Sequence, residues 1–214
     1  MLKKYKVMLY FNIFKSVGMM VRFPVWRSVD QRAKIVCSGS LNAGKKTQIM
    51  QKQSSITEAW DRKYPGQVVL AITKSRDGRI NLMAIGWVCI VSDEPPMFLL
   101  GIDDPAYTLE LIRESGEFVI AYPGKDMAKE TLYCGTTHGH DIDKGKISGL
   151  KFEAASTVNV PILSDAVANF ECRLVTEYRP GNCPLVVGEV VASTVNTDSS
   201  VLRLINAGSG YKLQ

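Results

Sequence analysis

Both histidines of the chain lie in one polar run, Cys134-Gly135-Thr136-Thr137-His138-Gly139-His140-Asp141-Ile142-Asp143-Lys144. Cys134, His138, His140 and a carboxylate are acceptable zinc ligands. Their spacing matches no closed structural site, and Lys144 adds a positive charge beside them. A Cys134–His138 pair could serve as nucleophile and base. It needs an orienting carboxylate and an oxyanion hole that the sequence does not place. Two glycines, two threonines and a lysine also suit an anion: bare amides approach closely, hydroxyls donate and the ammonium neutralises. Against these stands a solvated loop whose Gly and Asp residues only serve turns. The run by itself leaves all of these open.

A second stretch, Asp77 to Ile102, reads as two apolar runs around a Glu94-Pro95-Pro96 corner. Three residues do not suit a buried hairpin: Asn81, Gly86 and Trp87. An amide, a missing side chain and a large aromatic in a core strand point to packing against something other than protein. Gly86 before Trp87 would let the strand bulge and re-aim the indole. A third motif, Gly39 to Thr47, misses a phosphate-binding loop by one residue. Lys46 stands where a hydroxyl should follow the lysine and reach Mg²⁺.

The elements that must position these residues are mostly strands. Thr57–Arg62 fits a short helix and Val68–Thr73 a strand, followed by a turn at Asp77-Gly78. Asp104-Pro105 reads as N-cap and first residue of a helix over Ala106–Ser115, stopped at Gly116. Phe118–Ala121 is strand-like, and Asp126 can cap a helix reaching about Tyr133. Cys134–Ser148 reads as loop. Val167–Tyr178 alternates with period two, as a half-buried antiparallel strand does. Gly181-Asn182 turns the chain into a strand over Leu185–Thr194. A mainly β fold, an antiparallel barrel with a few peripheral helices, follows. No G-x-G-x-x-G follows a strand.

Bulk composition is that of a globular chain: 214 residues, 46% apolar and 22% charged. Charge is uneven. Residues 1–53 hold eleven Lys/Arg against one acid, and 54–214 hold fifteen against twenty. We read 1–53 as a disordered or misassigned basic leader and 54–214 as the domain. An acidic body without a basic, aromatic-interleaved face speaks against nucleic acid. No apolar run is long enough to span a bilayer. Five cysteines at irregular spacing fit free thiols in a reducing, cytoplasmic setting.

Taken together, the segments resemble the flavin reductase-like family, an FMN-binding split β-barrel with Greek-key-like antiparallel strands, in its flavoredoxin-like branch. The resemblance covers about Gln67 to Tyr211. It is carried by Asn81, Met83 and Trp87 in the first motif. The second motif is Cys134, Gly135, Gly139, Asp141, Asp143 and Lys144. The Pro95-Pro96 corner, Gly149-Leu150 and Val160-Pro161 add to it. It implies that Asn81, Met83, Ala84 and Trp87 lie along the flavin, and that Tyr107 and Thr108 contact it. Thr136, Thr137 and His138 would wrap it, with Lys144 and Tyr211 approaching it. It also implies a homodimer with FMN at the subunit interface, and NADH or NADPH as donor. Free flavin, ferric iron or a redox protein would be the acceptor; an FMN electron carrier without turnover is the second reading. Where the family commonly has a histidine near the flavin, this chain has Cys183, in Gly181-Asn182-Cys183. A thiol is a weaker donor than an imidazole, which makes Cys183 the candidate catalytic position.

Overall fold

The computed structural model describes residues 51–214. The leader expected over 1–53 falls almost wholly outside the described residues, and the motif at Gly39–Thr47 entirely so. A short helix α1 (Ile56–Asp61) opens the described part. The Ser55 side chain accepts from Glu58 N at 3.1 Å, which satisfies one free amide of its first turn.

Seven strands form one antiparallel sheet. In chain order they are β2 (Val69–Lys74), β3 (Ile80–Ile85), β4 (Val88–Asp93), β5 (Pro96–Gly101), β6 (Glu117–Tyr122), β9 (Ala168–Tyr178) and β10 (Leu185–Val195). In space the order is β3-β2-β6-β9-β10-β5-β4. Two-stranded ladders join β1 (Gly66–Gln67) to β11 (Ile205–Asn206) and β7 (Phe152–Glu153) to β8 (Ile162–Leu163). The helices are α2 (Tyr107–Ser115), α3 (Ala128–Thr136) and α4 (Lys144–Ile147).

The order dictates a closed shape. β3 and β4 lie at opposite ends of the sheet, yet only Gly86 and Trp87 separate them in sequence. Ile85 and Val88 can be at most about 11 Å apart. The sheet therefore curls until its ends meet, leaving a seam without a ladder between β3 and β4. The bulge expected at Gly86 is thus a change of strand. The expected hairpin survives as β4–β5, while β3 pairs with β2 around the Asp77-Gly78 turn.

β2 and β6 are covered on both faces. Val69, Ala71, Phe118 and Ile120 enter one core with Phe98, Leu100 and Ile112. Leu70, Ile72, Val119 and Ala121 enter another with Val160 and Leu163. Burial on both faces explains why Val69–Ile72 is continuously apolar instead of alternating.

The alternation of β9 has a different meaning from the one expected. Its polar face is buried at Asn169 and Glu171. The Glu171 carboxylate accepts from the amides of Ser156, Thr157 and Val158 at 2.9, 2.7 and 3.1 Å, and from Ser156 Oγ at 2.8 Å. Burial alone would raise the Glu171 pKa; these donors outweigh it and hold the group below its ordinary value. Its stabilising effect is therefore complete above the unfolded glutamate pKa and is lost as pH falls through the lower folded value. Glu171→Gln sets an amide NH₂ against backbone donors. We expect a cost of about 3 kcal/mol and a fall in melting temperature of roughly 6–12 °C, read by thermal denaturation at neutral pH. The gap between variant and wild type should narrow in acid.

Candidate functional site

Two adjoining cavities share Met83, Asp103 and Gly135 in their walls. The larger, about 590 Å³, opens at the seam between β3 and β4. Ala84, Trp87, Tyr211 and Cys183 line it. The smaller, about 270 Å³, lies between β3, the start of α2 and the segment joining α3 to α4. Asn81, Tyr107, Thr108, Thr136, Thr137, His138 and Lys144 line it. Every site residue named from the sequence thus lines one or other of these two adjoining cavities.

The seam builds the larger cavity. Trp87 packs its Cβ and ring edge against Gly101, where an added Cβ would sit 3.1 Å from the indole. Gly101 N donates to Trp87 O at 2.8 Å. Trp87 is 54% exposed and lines the cavity, as its misfit in a core strand suggested. The opposite wall is the segment Asn206–Leu213, fastened to β1 through β11. At its tip Gly210 and Tyr211 are both left-handed, with φ of 78° and 59°. A tyrosine rarely adopts that conformation, and here it leaves the ring 56% exposed at the cavity.

Buried polar groups build the smaller cavity. Asn81 Nδ2 donates to Thr108 Oγ1 at 2.8 Å and Thr73 Oγ1 at 3.2 Å. Its Oδ1 is buried without a partner. Lys144 is buried as well, and its Nζ donates to Leu82 O and Cys134 O, each at 2.8 Å. It ties β3 to α3, and one of its three donors remains. Burial lowers its pKa, and the Cys134 thiol opposes that shift.

Several expectations change. Asp104 is not the cap of α2: Ala106 holds that place, with no side-chain hydrogen bond, and Asp104 binds arginines instead. The first amides of α2 are left to face the smaller cavity. Cys134–Thr136 belong to α3 and Lys144–Ile147 to α4, so the expected loop shrinks to the residues between them. Asp126 does not cap α3 by a side-chain bond; it lies in a 3₁₀ turn before it. The zinc and thiol-nucleophile readings lose their shared residue. The Cys134 side chain is buried, and burial pushes its thiol up to about 11. Among the described residues no three His, Cys, Asp or Glu side chains gather as ligands for a metal ion. His140 is engaged by Glu110 at 3.1 Å and by the Tyr107 ring, 4.5 Å between centroids.

The sequence reading missed Thr131 and Gln67, both in the larger cavity. Thr131 Oγ1 is buried without a partner. Nothing in a helical Thr announces that; only its place one turn before Gly135 hinted at a shared face.

Residues 61–212 match the domain described as flavin reductase like. The chain belongs to that family. A flavin reductase (NADH) of Kitasatospora aureofaciens is 28% identical over 60% of this chain and 65% of its own. An NADH:riboflavin 5'-phosphate oxidoreductase of Streptomyces pristinaespiralis is 31% identical, over 53% and 62%. Flavoredoxin from Methanosarcina acetivorans superposes with a TM-score of 0.64 at 27% identity, covering 80% of this chain and 91% of that one. The curled sheet with its open seam is the split barrel of this flavin reductase-like fold.

Gly139 presses against Asn81 and Tyr107 in the wall of the smaller cavity. A Cβ there would run into Asn81 Oδ1 and lie 2.9 Å from the Tyr107 ring. Asn81 is buried and bonded, so it cannot swing away freely. Gly139→Ala should cost about 2 kcal/mol, seen as a lower urea midpoint with an unchanged m-value.

Proposed function

We propose that the protein is an FMN-dependent oxidoreductase. It takes electrons from reduced nicotinamide and passes them to a small acceptor or a redox protein. The observation that carries the reading is a pair of orphaned buried polar atoms, the acceptor Asn81 Oδ1 and the hydroxyl Thr131 Oγ1, on residues that line the two adjoining cavities. Buried polar atoms without partners are costly, and a polar ligand spanning both cavities offsets that cost. When bound, FMN supplies two-electron uptake and stepwise or paired release.

The chain's own residues suit the two ends of such a ligand. An anionic end fits the smaller cavity. There α2 begins without a side-chain cap, which leaves amide donors and the positive end of the helix dipole. The loop amides of His138, Gly139 and His140 have no protein acceptor among the described residues. Lys144 adds a buried positive charge, held in place by two carbonyls. Thr136 and Thr137 donate their hydroxyls to Leu132 O and Tyr133 O, so their oxygens can only accept unless the rotors turn. A planar, mostly apolar end fits the larger cavity between Met83, Ala84, Trp87 and Tyr211.

Exposed Ile90 and Val91 on the edge strand β4, beside Trp87, suit a second copy of the chain covering the cavity mouth. Gel filtration against scattering mass tests this; a monomer at micromolar concentration removes it. An FMN carrier without turnover shares these binding residues.

Anaerobic mixing of the FMN-loaded protein with NADH or NADPH distinguishes enzyme from carrier. We expect the flavin absorbance to bleach within seconds; no bleaching assigns the carrier role. Lys144→Met should weaken FMN binding about ten-fold or more, read by flavin fluorescence, with urea denaturation reporting its structural cost separately. Cys183→His should speed nicotinamide oxidation, because it restores an imidazole donor at the larger cavity. An unchanged rate shows that the thiol is not limiting.

A further inference from the structure

Two arginine–carboxylate forks cross the surface between α2 and the end of β9. Arg179 holds Asp104 through both terminal nitrogens, Nη1 to Oδ2 at 2.8 Å and Nη2 to Oδ1 at 2.7 Å. Arg113 holds Glu177 through Nε and Nη2, each at 2.8 Å. The forks are cross-linked. Arg179 Nε donates to Glu177 Oε1 at 3.0 Å, and Arg113 Nη2 to Asp104 Oδ1 at 3.4 Å. Isolated surface pairs hold little, but bidentate pairs joined into a network are the geometry in which they do hold. Both carboxyls lie below the usual range, Asp104 chiefly through Arg179 and Glu177 chiefly through Arg113.

The network joins two walls of the site. Asp104 follows Asp103, which lines both cavities, and precedes Pro105–Thr108, which line the smaller. Arg179 follows β9 and stands four residues before Cys183, which lines the larger. The Tyr178–Leu185 pair closes the turn between β9 and β10, and Ile102 N donates to Pro184 O at 3.0 Å just beyond it. Residues 180–183 make no hydrogen bond or ion pair among the described residues. Among the described residues, hydrogen bonds and ion pairs hold the turn that carries the thiol only at its two ends.

We propose that Arg179 is a positioning residue: its fork onto Asp104 anchors the β9 end of the Cys183 turn and sets how the thiol is presented to the larger cavity. The role in electron transfer rests on the proposed function; the mechanical claim does not. Two consequences separate this from a general contribution to folding. Among the four described thiols the effect falls on Cys183 alone, and it is weakened by salt, which screens exposed charges.

The test is alkylation of the purified full-length chain by iodoacetamide, followed by peptide-resolved mass spectrometry. Cys89 is exposed on β4 of the single chain, takes no part in the network and serves as the internal reference. Because β4 is also the proposed contact between copies, the scattering mass is checked to be the same in every variant and salt. Cys134 and Cys172 are buried, with thiols pushed up to about 11 and about 12, and report global unfolding if they react. Arg179→Ala should raise the Cys183-to-Cys89 rate ratio about two- to five-fold. Arg179→Lys keeps the charge and loses the fork, so its ratio should fall between wild type and Arg179→Ala. In wild type, 1 M KCl should move the ratio in the direction of Arg179→Ala. If a variant exposes Cys134 or Cys172, the wild-type salt series decides. A ratio that neither substitution nor salt moves overturns the assignment. A parallel series with FMN reports on the cavity reading alone: protection of Cys183 supports it, and no protection counts against it while leaving the salt result to stand.

Discussion

The fold depends on a connection that is too short. β3 and β4 occupy the two ends of a seven-stranded sheet, and two residues link them. The chain cannot satisfy both facts with an open sheet. It curls until its edges meet, and the meeting point lacks a ladder because the strands diverge from a common corner. Gln67 bridges that corner by donating its side-chain amide to Val88 O. Trp87, the second residue of the link, has no strand to pack within and lies on Gly101. The larger cavity is the space such a corner leaves.

Around the cavities the protein accepts polar burial that a plain barrel would avoid. Lys144 gives two of its donors to main-chain carbonyls and thereby fixes α3 against β3. Asn81 ties β3 to α2 through Thr108. Glu171, on the far side, gathers three consecutive amides. Buried charges survive only when each lone pair or proton has a partner. Glu171 meets that condition within the chain. Lys144 and the neutral Asn81 are satisfied only in part, and both line the smaller cavity.

Strand content was largely legible in the sequence, because β9 alternates and the Asp77-Gly78 turn is punctuated clearly. The side chains that decide the site were less so. Asp104-Pro105 has the composition of a helix cap, yet two arginines distant in sequence outcompete the helix amides for its carboxylate. The polar face of β9 looked solvent-facing because no local signal marks a covering segment that arrives from residues 156–163. Trp87 stood out as a misfit in a core strand, but nothing in Gly86-Trp87 announces a change of strand; that follows only from the long-range order of the sheet. The cavity-lining residues were named from a family pattern, and the structure brings them into two adjoining cavities. Thr131 escaped because an orphaned hydroxyl is defined by what fails to surround it.

The wall formed by Asn206–Leu213 also sets an order of events during synthesis. Asn81, Thr108 and Lys144 leave the ribosome long before Tyr211 does. At roughly 5–20 residues per second, the first of them waits on the order of 6–26 s for the last wall. A ligand that needs both cavities complete is therefore loaded onto a barrel already assembled.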